Sequence, residues 1–325
     1  MIKASIIIPS HNRVKSLLRT IKSVWELNYP KKDYEIIVVD NASSDKTQFA
    51  VKRLVKEKKI NNLQMIAENS LGLHFARHAG AKISKGELLI FTDDDAIVDK
   101  QLLKVYVSIF SKYKQMVAAG GPVRAHWGST PPKWLIDYIG DNRVFHLLSL
   151  MDLGKKFKLD NKRFFFGVNM AIRRKILFEV GGFNPELIGD AYVGNGESGL
   201  NQKLWQKGML IGYIPEAVVY HHIPPERMTA TYFKHRMANE GAGGMYEKYH
   251  EHIPSRFWLI LEIVKLLICS IGWFVGGLLL NNRTDRYSLV IQMESARIRS
   301  QIKYIFRLIK DNDFKKMVLK TNWLS

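Results

Sequence analysis

Asp93-Asp94-Asp95 puts three carboxylates on consecutive residues at the end of Gly86-Glu-Leu-Leu-Ile-Phe-Thr. Like charges packed this closely are unfavourable unless a cation sits among them. A hard divalent metal holding a diphosphate meets that need with oxygen ligands. The plainer alternative is a solvated acidic turn, with Asp99 capping the next helix. Three more polar loops follow apolar runs: Pro9-Ser-His-Asn-Arg13, Asp40-Asn-Ala-Ser-Ser-Asp45 and Glu68-Asn-Ser-Leu-Gly72. Asp40, closing its run, suits a base N–H or a ribose hydroxyl, whereas the triplet suits metal and phosphate. No Gly-x-Gly-x-x-Gly follows the first run and no Walker A Gly-Lys-Ser/Thr occurs. Dinucleotide and P-loop sites therefore lack support.

Strands must deliver these loops to one edge. Ser5–Ile8, Tyr34–Val39, Asn62–Ala67 and Leu88–Phe91 read as strands, separated by helices over Lys15–Leu27, Ser44–Lys59 and Leu73–Ile83. Such alternation predicts a parallel, doubly wound α/β sheet whose right-handed crossovers gather the loops at the carboxyl ends of the strands. Beyond Gly120 the pattern loosens. Phe164–Ile172 reads as a buried strand, Ser198–Lys207 as a helix, and Leu210–Tyr213 with Ala217–Tyr220 as a strand pair.

At 325 residues, 46% hydrophobic and 24% charged, the composition is that of a folded globular protein. A lone cysteine, Cys269, excludes an intramolecular disulfide framework and fits a reducing compartment. Met1-Ile-Lys-Ala-Ser runs into the first strand without a secretory cleavage site, so no leader is expected. The formal charge of +19 calls for an anionic partner: nucleic acid, anionic lipid or a phosphorylated substrate. The lack of paired Cys/His spacing or an aromatic RNP pattern disfavours nucleic acid.

Ile6-Ile-Ile-Pro-Ser-His-Asn-Arg13, Val38-Val-Asp-Asn-Ala-Ser-Ser-Asp45, Ala76-Arg-His-Ala-Gly80 and Gly86 to Asp95 follow one another at fixed order. Gly167-Val-Asn-Met-Ala, Gly181-Gly-Phe, Gly196-Glu197 and Pro215-Glu-Ala-Val-Val-Tyr-His221 continue the series. With these motifs the chain resembles glycosyltransferase family 2, of GT-A fold, over roughly residues 3–225. The resemblance implies a Rossmann-like, mostly parallel sheet flanked by helices, with a nucleotide-binding half at 1–120 and an acceptor half at 121–225. It implies that Asp40 binds the base, with Pro9, His11 and Asn12 around it, and that Arg13, Asn69, Arg77 and Asp93 also serve the nucleotide. His11 stands where the family often has Tyr, and His78 where Asn is common. Asp93 and Asp95 match the family's Asp-x-Asp, with Asp95 the leading ligand of a Mg²⁺ or Mn²⁺ ion. His221 matches a position that completes the metal or diphosphate site, and His222 is the alternative.

The family places two carboxylates at a helix start, the second acting as base. Helix phase counted back from Gly208 through Leu204 and Leu200 puts Glu197 at the second place and Gly196 at the first. Glu197 is thus the expected base, Asp190 the fallback, and helix capping the structural alternative. The implied enzyme is an inverting, metal-dependent glycosyltransferase moving a sugar from a nucleotide-diphosphate sugar to a hydroxyl of a saccharide or lipid-linked acceptor. Its rivals are a sugar nucleotidyltransferase, which would need a glycine-rich loop after the first strand, and a non-catalytic polyanion binder.

Residues 226–325 differ in character. Phe257–Leu280 holds 15 Leu/Ile/Val/Phe residues but is interrupted by Glu262 and Lys265, which could pair three apart on a helix. Each apolar residue favours insertion by about 0.3–0.6 kcal/mol and each charge near a helix centre costs about 2.5–3.5 kcal/mol. That balance predicts a helix docked on or embedded in a membrane face, with a single span at 257–280 and a buried core helix as alternatives. Arg283–Lys320 carries ten Lys/Arg against four Asp/Glu, with Ile298, Ile302, Ile305, Phe306 and Ile309 at helical spacing. A basic amphipathic helix suits an anionic membrane surface; packing on another helix of the same chain is its competitor. The expected location is the cytoplasmic face of a membrane.

Overall fold

Alternating side-chain direction along the fully buried first strand sets the layering. In β1 (Ala4–Ser10), Ile6 and Ile8 enter one apolar core and Ile7 the other, so the sheet is covered on both faces. The computed structural model describes residues 2–188, 191–192, 194–280 and 285–324. After β1 come α1 (Val14–Trp25), β2 (Tyr34–Asn41), α2 (Thr47–Lys58), β3 (Leu63–Glu68), α3 (Leu73–Ile83) and β4 (Leu88–Phe91). β1 pairs in parallel with β2 and β4, and β2 with β3. Leu17, Ile21 and Val24 of α1 line one core, and Ala76 and Ala81 of α3 line the other.

The second half contains β5 (Ala96–Val98), α4 (Leu102–Lys112), β6 (Met116–Gly120), β7 (Val123–Trp127) and α5 (Lys133–Ile139). It continues through β8 (Val144–Phe145), β9 (Leu150–Met151), β10 (Lys158–Asp160), β11 (Met170–Arg173), α6 (Arg174–Glu179), β12 (Leu187–Ile188) and β13 (Ala191–Tyr192). It closes with α7 (Gly196–Gln206), β14 (Leu210–Tyr213) and β15 (Val219–Ile223). The main sheet has the order β10-β14-β6-β11-β4-β1-β2-β3, and a second has the order β5-β15-β7-β9-β8.

The main sheet is mostly parallel, as expected, with β11 antiparallel to β4 and β6 and β10 antiparallel to β14. Two sequence expectations need correction. The strand expected over Phe164–Ile172 is only β11, preceded by a 3-10 turn at Gly167–Asn169. There the Asn169 amide donates to Pro122 O and Ala217 O and replaces ladder bonds. The expected strand pair is split: β14 lies in the main sheet, parallel to β6, while β15 lies in the second sheet, parallel to β7.

Four helices follow: α8 (Ala230–Tyr249), α9 (Arg256–Leu279), α10 (Arg286–Lys310) and α11 (Asn312–Val318). Ile298 and Ile305 of α10 are buried, and Ile305 joins Tyr246 of α8, Leu259 and Ile263 of α9 and Phe314 of α11 in one cluster. Ile302 and Ile309 pack against that cluster, so the apolar stripe of the basic helix is spent on its own neighbours. The anticipated Glu262–Lys265 pair is not formed; Glu262 accepts instead from Lys248 Nζ of α8 at 2.6 Å. The outer side of α9 is open, with Trp258 62%, Ile268 67%, Ile271 61% and Leu279 78% exposed. Among the described residues no single helix is long and apolar enough to cross a membrane, and α9 bends by 59° between Arg256–Ile268 and Ser270–Leu279. Residues 321–324 return to the main domain, where Trp323 N donates to Gly181 O at 3.1 Å and the Trp323 ring meets His74 edge-on.

Candidate active site

The carboxyl ends of β1, β2 and β4 deliver Ser10, Asp40 and Asp93–Asp95 to one edge of the sheet, where open α/β sheets bind ligands. Arg77, on the face of α3 that packs against the sheet, lies beneath them with a side chain only 3% exposed. Its Nη2 donates to Asp93 Oδ1 at 3.1 Å and its Nη1 to Glu197 Oε2 at 3.2 Å. Gly167 makes this possible, since a Cβ there would stand 2.1 Å from Arg77 Nη2. Glu197 sits in the first turn of α7, so the guanidinium ties the end of β4 to the start of that helix.

The triplet divides. Asp94 turns back to β1, accepting from Ser10 Oγ at 2.6 Å and Arg13 Nη1 at 3.2 Å. Burial pushes its carboxyl up to about 6, against the pull of Arg13. Asp95 Oδ2 accepts from Arg13 Nη1 at 2.9 Å and Arg227 Nη2 at 2.8 Å. Burial acts to raise Asp95, but its contacts with His221, Arg227 and Arg13 outweigh burial and hold it well below the usual carboxylate range. The solvated-turn alternative therefore fails at Asp94 and Asp95, both under 9% exposed.

Strand alternation decides between the two histidines of β15. His221 faces Asp95, with Nε2 3.3 Å from Oδ1, while His222 faces the other way and meets His126 Nδ1 at 3.2 Å. His221 Nδ1 lies 3.0 Å from Leu148 O, so Nδ1 carries the hydrogen, and Nε2 accepts from Arg227 Nη1 at 2.9 Å. Asp95 Oδ1 is buried without a hydrogen-bond partner. An orphaned carboxylate oxygen beside an imidazole nitrogen is a donor set that fits a divalent cation once Arg227 gives up its contact with Nε2. Among the described residues no group of three His, Cys, Asp or Glu side chains converges on a metal position. Asp93, turned to Arg77, is thus not gathered with Asp95 and His221.

The loops after β1 and β2 interlock. Asn12 Oδ1 accepts from Ser44 N at 2.8 Å and Asp45 N at 3.2 Å, and His11 Nδ1 donates to Asn41 O at 2.7 Å. Asp40 is buried and accepts from Ser43 N at 3.2 Å and Gln48 Nε2 at 2.7 Å. Pro9 is buried in β1, and Asn69 is exposed beyond β3. His78 belongs to the scaffold: its Nε2 accepts from Phe183 N at 2.9 Å, and burial holds its pKa down to about 3.

The sequence reading missed two groups. Arg227 follows Pro224-Pro225 in a 3-10 turn after β15, and the sequence alone assigns it no role at the site. Glu186 fills the space above Gly196, where a Cβ would stand 2.2 Å from Glu186 Oε1. A glycine at a place expected to hold a carboxylate was the available signal. The two carboxyls act on each other's titration: burial pushes Glu186 up to about 8, while Arg77 and Glu186 overcome burial and hold Glu197 down. Both carboxyls line a cavity of about 170 Å³ with Arg236, Glu240, His146 and Phe164. The fallback base Asp190 lies outside the described residues.

This architecture is the GT-A fold of glycosyltransferases. A Pyrobaculum calidifontis mannosyltransferase solved with GDP-Man and Mn²⁺ superposes with a TM-score of 0.62 at 18% identity, over 94% of this chain and 87% of that one. Staphylococcus aureus TarS 1–349 with UDP-GlcNAc gives 0.52 at 15% identity, over 94% and 91%. The sequence profile described as Glycosyl transferase family 2 matches residues 5–181, more than half of the chain. The chain belongs to glycosyltransferase family 2. It is 27% identical over 173 residues to the S. aureus poly(ribitol-phosphate) β-N-acetylglucosaminyltransferase TarP, covering 51% of this chain and 53% of that protein. It is also 27% identical over 185 residues to the Haloferax volcanii glycosyltransferase AglE, covering 57% of each. The chain thus spans about half the length of these two curated relatives.

Proposed function

We propose that the protein is an inverting glycosyltransferase that moves a sugar from a nucleotide-diphosphate sugar to a hydroxyl of a saccharide or lipid-linked acceptor. The observation that carries this reading is the buried Asp93–Arg77–Glu197 chain, which fixes a carboxylate of α7 against the strand end that presents the triplet. Glu197 takes the proton of the acceptor hydroxyl as that oxygen bonds to the anomeric carbon. The bond from that carbon to the diphosphate oxygen breaks, and its electron pair leaves with the diphosphate. Asp40, His11 and Asn12 bind the base, with Asn69 at the rim, and Arg13 and Arg227 flank the diphosphate. Asp95 and His221 would hold Mg²⁺ or Mn²⁺, and the bound cation would neutralise charge on the leaving group. The solved relative named with GDP-Man and Mn²⁺ supports that assignment.

α9 is the membrane-docking element in this proposal. Its exposed Trp258, Ile268, Ile271 and Leu279 and its 59° bend suit a helix lying in the cytoplasmic interface. Co-sedimentation with anionic vesicles should fall when Trp258 and Ile268 are both replaced by Glu; unchanged binding would remove α9 from this role.

Thermal stabilisation by UDP- and GDP-sugars, with and without Mn²⁺, tests the donor site. One sugar nucleotide should stabilise the protein in a Mn²⁺-dependent way and then be consumed with acceptor present. No stabilisation by any sugar nucleotide, alongside salt-dependent DNA binding, would overturn the reading in favour of a polyanion binder.

A further inference from the structure

The family resemblance implies a carboxylate at position 196, where this chain has glycine with φ +49°. The space above that glycine holds Glu186, whose Cγ and Cδ would lie 2.5 and 2.8 Å from a Cβ at 196. A side chain at 196 and Glu186 in its present place exclude each other, so one carboxyl has two alternative sources in the chain. The loop is built to bring Glu186 there. Asn184 Nδ2 donates to Asn195 Oδ1 at 3.0 Å and joins its two ends, with β12 and β13 paired antiparallel between them. Gly194 lets the returning strand approach closely, since a Cβ there would be 2.3 Å from Pro185 O.

Building on the reading of Glu197 as the base, we propose that Glu186 is a positioning residue of the transfer site. It carries a proton, donates it as a hydrogen bond to Glu197 and, with Arg77, aims the base at the acceptor hydroxyl. Two carboxyls this close do not both ionise, and the environment divides them. Glu197 keeps Arg77, while burial pushes Glu186 up to about 8. The charged and titratable groups facing Glu186 are Glu197 of α7, Arg77 of α3, Arg236 of α8, and across the cavity His146, Glu240 and Glu247. When Glu197 takes the acceptor proton the pair holds two protons, and one leaves to water in the cavity, restoring the resting state.

Glu186→Gln keeps a hydrogen-bond donor but does not titrate, whereas Glu186→Ala removes the donor. Glu186→Gln should keep kcat within about tenfold and lose the alkaline limb of the pH–rate profile, which wild type should show near pH 8. Glu186→Ala should lose about 100-fold in kcat with donor KM unchanged. Gly196→Glu added to Glu186→Ala should recover part of that loss, although Gly196→Glu alone should be defective because the two side chains collide. An unchanged alkaline limb in Glu186→Gln, or wild-type kcat in Glu186→Ala, would overturn the proposal. Infrared spectroscopy of the resting protein needs no turnover: the difference spectrum between wild type and Glu186→Gln at neutral pH should show the loss of one protonated-carboxyl band, and identical carboxyl bands would also overturn the proposal. A wild-type protein inactive with every sugar nucleotide, yet showing that band, would reject the transferase reading and leave the shared proton standing.

Discussion

The two outer aspartates of the triplet, one residue apart from Asp94, face opposite electrostatic problems. Asp95 is the anion in a cationic setting, with Arg13 and Arg227 on one oxygen and His221 beside the other. Asp93 and Glu197 share the single guanidinium of Arg77, with Glu186 adding a third carboxyl to that side. The first half sets two guanidiniums on one oxygen of Asp95, with Arg13 shared with Asp94, which suits a diphosphate in the proposed mechanism. The second holds more carboxyl groups than cations, so it must keep a proton, which suits taking one from a hydroxyl. In the proposed mechanism, one loop thus separates leaving-group chemistry from base chemistry by what surrounds each aspartate.

That division can be broken from either side. The largest effect belongs to Glu197→Gln, expected to lower transfer by about 10²–10⁴-fold with donor binding intact, as measured by turnover and thermal shift. An active variant would move the base elsewhere. Next is Gly167→Ala, whose new Cβ would stand 2.1 Å from Arg77 Nη2 and push the guanidinium off Asp93 and Glu197. A misplacement on this scale should reduce kcat by about 100-fold. An equal loss of Mn²⁺-dependent donor binding would show that the two halves are not separable. Asp95→Ala should weaken that binding by about 10–100-fold, the scale of losing support at a metal site. Metal-independent affinity for a nucleoside diphosphate should survive or rise, because Arg13 and Arg227 lose their partner. Binding that is unaltered with Mn²⁺ would remove Asp95 from the metal.

The smallest effect is on stability. Glu186 has a folded-state pKa of about 8, raised from 4.5, so the folded protein holds a proton that the unfolded chain has released between those values. Stability from this group is full at acid pH and is lost as pH rises through about 8. Melting temperatures of Glu186→Gln should therefore fall less between pH 5 and pH 8 than those of wild type; parallel curves would place the proton elsewhere.

Much of the Asp95 half was legible because its residues lie in contiguous motifs at strand ends. Ser10-His-Asn-Arg13 and Asp93–Asp95 follow apolar runs, and β15 announces His221 by its own alternation. Glu186 was not legible. Its contact with Glu197 depends on a loop that leaves and returns to the same point, and only the hole at Gly196 marks it. The direction of β11 was hidden for a related reason: a buried apolar run looks the same whether its neighbours run parallel or antiparallel to it. The stripe of Ile298, Ile302, Ile305, Phe306 and Ile309 reads as membrane-facing, yet Ile302, Ile305 and Ile309 pack on neighbouring helices and Phe306 is 46% exposed. What covers it is a property of α8, α9 and α11, which the stripe itself does not encode.

Trp323, Leu324 and the backbone of Thr321 seal the wall behind Gly181, Gly182 and Lys203, well over a hundred residues away in sequence. Strands β1 to β4 can pair while the chain is still being made, but this wall closes only after the four helices have been synthesised and folded back. The α/β domain therefore reaches its final form through one of the longest loop closures in the chain, an entropic step that slows folding more than it lowers the stability reached at the end.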